Sequence, residues 1–184
     1  MIAIILLSAI TIGCSSLLPS AEETTESPWK SYADAKHAFD KIQPGQTTFV
    51  GLKELGFDPF ENPNIRLIDY LEITRRFLPN QSITLQDLHP AMRTCLEAKT
   101  DCRGYEITPR MVRSKRYGNA VLDVFNFRRK TRRTGWSFAG LIILNSELVV
   151  YKLEGGEPNI LELEDKKNPL GPFQDISVSP DIGL

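Results

Sequence analysis

The sequence predicts an α+β fold, with N-terminal helices packed on one face of a C-terminal antiparallel β-meander of three to five strands. Two observations carry this. Apolar residues recur at helical spacing between Ser31 and Gly56. From Ala120 onward, short β-branched and aromatic runs alternate with turn residues. Strands so close in sequence pair antiparallel, and the two helices are the available cover for their apolar side. Of the 184 residues, 41% are hydrophobic and 24% are charged, the balance of an ordinary globular body.

The elements follow in order. Residues 2–12 (IAIILLSAITI) form an apolar run closed by Gly13-Cys14. It has the length of a secretory h-region and is too short for a membrane span, which needs about 20 residues. Thr11-Ile12-Gly13-Cys14 resembles a bacterial lipobox. That resemblance implies a signal peptide over 1–13 and a diacylated Cys14 as the first residue of the mature chain. Lys and Arg are absent ahead of the run, so an uncleaved anchor or a plain secretory signal stays open. Residues 14–28 are polar and Pro-bounded and read as a flexible tether. Ser15 after the cysteine resembles the signal for the outer rather than the inner membrane.

A single domain is expected over 29–167. Ser31 is placed to cap a first helix carrying Tyr32, Ala35, Ala38, Phe39 and Ile42, ended by Pro44-Gly45. Thr47 can cap a second, with Phe49, Leu52 and Leu55 as its apolar side and Gly56 as its stop, and Phe57 folding back. Residues 58–64 read as a loop. The spacing of Ile65, Ile68 and Leu71 favours a helix over 65–77. Pro90 opens a further short helix that carries Cys95. Tyr105 to Val112 is read as an edge strand. Then AVLDVFNF, WSFAGLIIL, LVVYKL and NILEL are read as strands, with turns at Thr134-Gly135, Asn145-Ser146 and Gly155-Gly156. Residues 168–184 form a Pro/Gly-rich tail.

With Cys14 lipidated, Cys95 and Cys102 remain as a pair, and an oxidising compartment favours a disulfide between them. Closing so short a loop stabilises by about 2–3 kcal/mol. No metal site is expected, because the ligands of a closed set are missing.

The stretch 39–56 (FDKIQPGQTTFVGLKELG) followed downstream by Asn145-Ser-Glu-Leu-Val-Val resembles the SmpA/OmlA family of small outer-membrane lipoproteins. The resemblance implies a helix-helix-meander fold and a role in outer-membrane assembly or maintenance, with phospholipid contact allowed. Gly51 and the roughly fifty residues between the second helix and the sheet depart from the family pattern.

The chain's net charge is −1, yet ten basic residues fall between Arg103 and Arg133, opposed within that stretch by Glu106 and Asp123. Arg110, Arg113, Arg116, Arg128, Arg129, Arg132 and Arg133 form the candidate surface for anionic lipid headgroups or an acidic partner. The same residues are also what solvated hairpin ends and protected edge strands carry. Trp136, with Phe125, Phe127 and Phe138 at strand spacing, is a core residue or, beside its turn, an exposed interface anchor. His37 and His89 stand apart from any nucleophile, and Glu162 and Glu164 read as a solvated strand face, so no enzyme and no cofactor are expected. The chain is therefore expected to be a periplasm-facing, membrane-anchored binding or scaffold module without nucleic-acid partners. The alternative is a periplasmic ligand-, lipid- or enzyme-binding lipoprotein.

Overall fold

The computed structural model describes residues 18–172. Residues 1–17, which include Cys14 and the segment expected to be a signal, and residues 173–184 of the tail lie outside them. In chain order the elements are β1 (Ser20–Thr24), α1 (Tyr32–Asp40), α2 (Phe49–Glu54), β2 (Ile65–Asp69), α3 (Tyr70–Phe77), α4 (Pro90–Glu97), β3 (Cys102–Ile107), β4 (Arg110–Tyr117), α5 (Ala120–Val124), β5 (Arg128–Asn145) and β6 (Leu148–Lys167). The fold is α+β, with a mostly antiparallel sheet in the order β1-β4-β5-β3-β2 and with β6 paired to β5. The chain forms two compact units. One contains residues 18–22, 113–134 and 161–172 of the described chain, and the other contains Glu23–Val112 and Gly135–Ile160.

The second unit holds the apolar core. Ser31 caps α1 by accepting the Asp34 N–H at 3.1 Å, and Gly56, at φ +88°, ends the turn after α2. Phe57 then folds back, its N–H donating to the Leu52 carbonyl at 2.8 Å. Phe39 and Leu52 from these helices pack with Phe57, Tyr105, Phe138, Ile142 and Leu144 in one buried cluster. Because side chains alternate along β5, Ile143 points the other way, into a second cluster with Ile68, Ile73, Met92 and Cys95. Helices α3 and α4 thus cover a side of the sheet that the sequence reading left bare.

Six strands stand where three to five are expected, because two come from segments read otherwise. Composition places Ser20–Thr24 in the tether, but it is β1 and pairs with β4. The described part of that segment is therefore not a free leash. Residues 65–77 are strand first and helix second. Asp69 makes the switch, accepting the Glu72 N–H at 2.8 Å to cap α3. The upstream residues pair with β3, Leu67 opposite Tyr105 and Asp69 opposite Arg103. Tyr105–Val112, expected as one edge strand, is broken at Thr108-Pro109 into the end of β3 and the start of β4. β3 lies between β5 and β2, and β4 between β1 and β5, so neither is an edge.

Three further readings are corrected. Residues 120–124 are helix α5, not a strand. Gly118 turns the chain at φ +104°, and Asn119 caps the helix by accepting the N–H groups of Val121 and Leu122. The pairs Thr134-Gly135 and Gly155-Gly156 lie inside β5 and β6. Gly135 is where β4 approaches closely: a Cβ there would sit 2.9 Å from the Val112 Cα and overlap the Met111 carbonyl. The turn at Asn145-Ser146 stands, joining β5 to β6. In the tail, the Asn168 N–H donates to the Phe127 carbonyl at 2.8 Å.

Cys95 and Cys102 form a disulfide, their Cα atoms 5.0 Å apart. Thiol counting on the oxidised chain should find neither of them reactive. Replacing both, Cys95→Ala with Cys102→Ala, should cost about 2–3 kcal/mol in urea unfolding through lost loop-closure entropy.

Candidate functional site

The arginine-rich run 128–133 is not one surface. β5 alternates, so Arg129, Thr131 and Arg133 line a cleft of about 380 Å³, together with Ser114, Arg116 and Lys166 from β4 and β6. Ser20 and Glu164 complete its polar wall. Arg128 is paired elsewhere, holding Asp165 through two hydrogen bonds of 2.8 and 2.6 Å. Those bonds hold the Asp165 carboxyl below the usual carboxylate range. Lys130 and Arg132 sit over the Tyr117 ring at 5.9 and 5.8 Å. Arg113 pairs with Glu22 at 3.2 Å. Arg110 belongs to the other unit, 4.0 Å from Glu23.

The cleft is organised by one of the two acids that fall within the basic stretch. Asp123, 3% exposed, takes Arg116 Nη1 at 3.2 Å and Arg129 Nε at 3.4 Å on the same oxygen, Oδ1. Among the described residues its Oδ2 has no hydrogen-bond partner. Burying a lone carboxylate costs several kcal/mol, and two guanidinium groups offset it. In return the carboxylate holds both guanidinium groups, each through one nitrogen, beside the cleft that these arginines line. Arg133 is shared with Glu162 at 3.4 Å and Glu164 at 4.0 Å. Arg116, Arg129, Arg133 and Lys166 against Asp123, Glu162 and Glu164 leave one positive charge. Two sequence signs point to Asp123: it is one of two acids within the basic stretch, and it stands four residues after Asn119, a cap-forming residue following a glycine.

Trp136 is not an exposed anchor. It is 8% exposed and lies in the first core cluster, because β5 turns it inward with Phe138.

A larger cleft, about 680 Å³, lies wholly in the second unit, with Phe49, Phe60, Leu67 and Tyr105 as its apolar lining and Asp69 and Arg103 beside them. Burial, reinforced by the charge of Asp58, pushes the Tyr105 phenol up to about 12. Asp58 is held below the usual range by the Phe60 N–H and by Lys53, whose Nζ is 3.0 Å away. His89 caps α4, its Nδ1 accepting the Ala91 N–H at 3.3 Å. Among the described residues no group of three or more His, Cys, Asp or Glu could hold a metal ion, and no helix is long and apolar enough to cross a membrane. Comparison of the chain with protein families, curated proteins and solved structures yields no match.

Proposed function

We propose that this chain is a lipid-anchored cell-envelope protein that acts by binding, held through Cys14 at the periplasmic leaflet of the outer membrane. The observation that carries the reading is charge segregation close to the anchor. The first unit holds ten Lys and Arg residues against five Asp and Glu within 18–172, although the chain as a whole is −1. Leu18, the first described residue of that unit, stands four residues after Cys14. A basic unit so near a lipidated cysteine suits anionic headgroups or the acidic face of an envelope protein. The cleft at Arg116, Arg129 and Arg133 is where a phosphate would seat. The resemblance to the SmpA/OmlA family adds outer-membrane assembly or maintenance as the process served. A second reading, a carrier or sensor of an apolar ligand, is favoured by the 680 Å³ cleft between Phe49, Phe60 and Leu67.

The test is metabolic labelling of the expressed chain with a fatty-acid probe in a bacterium with an outer membrane. The wild-type protein should carry the label and fractionate with the outer membrane, and Cys14→Ser should abolish both. An unlabelled wild-type protein recovered from the cytosol with its N-terminus intact would overturn the proposal.

A further inference from the structure

We infer that α5 is a membrane-inserting element, so that the basic unit lies on the same anionic bilayer that its lipid anchor enters. The inference rests on the membrane reading above and specifies which residues make the contact. Three observations converge on it. The first is that α5 is inverted as a helix: its buried residue is Asp123, while Val121, Val124 and Phe125 at and just after the helix are 63%, 76% and 56% exposed. Single exposed apolar residues are ordinary, but a helix that turns its charge inward and its valines outward is not. The second is what surrounds it. Asp123 grips Arg116 and Arg129, so the apolar tip is joined directly to the cationic strands. Apolar side chains backed by Lys and Arg are the composition of an element lying at a lipid interface, with insertion and headgroup attraction acting together.

The third observation is reach. Four residues from Cys14 to Leu18 span at most about 14 Å. Leu18 is buried, and the Pro19 carbonyl accepts the Arg116 N–H at 3.3 Å. A lipidated Cys14 therefore cannot leave this unit far out in the periplasm. The occupant of the α5 surface is a bilayer with anionic headgroups. A second copy of the chain would meet its positive charge with more of the same sign.

The mature chain from residue 14 onward, carrying Cys14→Ser, lacks both the lipid and the apolar run 2–12, so that the surface itself is read. Its partitioning onto phosphatidylcholine vesicles with and without phosphatidylglycerol is measured by sedimentation. Binding is expected only with phosphatidylglycerol and should weaken as salt rises. Val124→Ser with Phe125→Ser should weaken it about tenfold, while circular dichroism stays unchanged because both residues are exposed. A bimane label on Val124→Cys should shift to the blue on these vesicles. Reversing Arg132 and Arg133 to Glu, which leaves the Arg116 and Arg129 pairs of Asp123 intact, should abolish binding. If the serine variant binds like its parent and the label does not shift, insertion is wrong, and loss on arginine reversal alone would leave the cationic reading standing. If neither set of changes matters, both fall. If the serine variant instead breaks up a dimer with partitioning unchanged, α5 is a self-association surface and the inference is overturned.

Discussion

Gly135→Ala is expected to lower the thermal midpoint by about 10 °C. The added methyl would not meet a side chain that can turn away. It would overlap the Met111 carbonyl oxygen and lie 2.9 Å from the Val112 Cα, both backbone atoms of the neighbouring strand β4. Overpacking typically costs 1–3 kcal/mol, and a clash with backbone belongs at or above the top of that range. For a chain of this size each kcal/mol moves the midpoint by about 2–4 °C. Gly155→Ala is the control. An added Cβ there has nothing within 4 Å, so its midpoint should stay within a degree or two. Equal effects from the two substitutions would mean that β4 and β5 do not approach as described.

Phe39→Ala should cost about 3–5 kcal/mol in urea unfolding, with the slope unchanged. Phe39 is the point at which α1 is fastened to the sheet. Its ring meets Phe138 edge-on at 5.5 Å and Phe57 at 6.2 Å. The Lys152 ammonium lies 5.0 Å from the ring centre. Truncation would leave a void between two other aromatic rings that are themselves immobilised by packing, so collapse into it is limited. Phe39→Leu keeps most of the volume and should recover more than half of the loss. If Phe39→Ala cost under about 1 kcal/mol, α1 would not be part of the cooperative core.

These two sites differ in how far the sequence reveals them. Phe39 is legible: it falls on the apolar stripe that follows Ser31, and a helical repeat states directly which residues face inward. Gly135 is not. The pair Thr134-Gly135 has the composition of a turn, and only a neighbouring strand explains why a glycine stands inside β5. The helix α5 is hidden in the sequence for a related reason. AVLDVFNF satisfies a strand pattern as well as a helical one, and the decision fell to the Asn119 cap and the Gly118 turn. Trp136 carries the same ambiguity between rim and core, and the inward side of β5 resolves it.

What the sequence by itself determined is what local chemistry controls. The apolar run ending at Cys14, the caps at Ser31 and Gly56, the cysteine pair and the concentration of arginine are all fixed by neighbours a few residues away. The tertiary structure alone decided how those arginines are used. Pairing β5 with its neighbours sends Arg129 and Arg133 to one cleft and Arg128 and Arg132 to other partners, and it brings Asp123 beneath Arg116 and Arg129. A strand's two-residue period splits any continuous run of charge between two sides. Which side meets which carboxylate depends on segments far apart in the chain, and no local pattern records that.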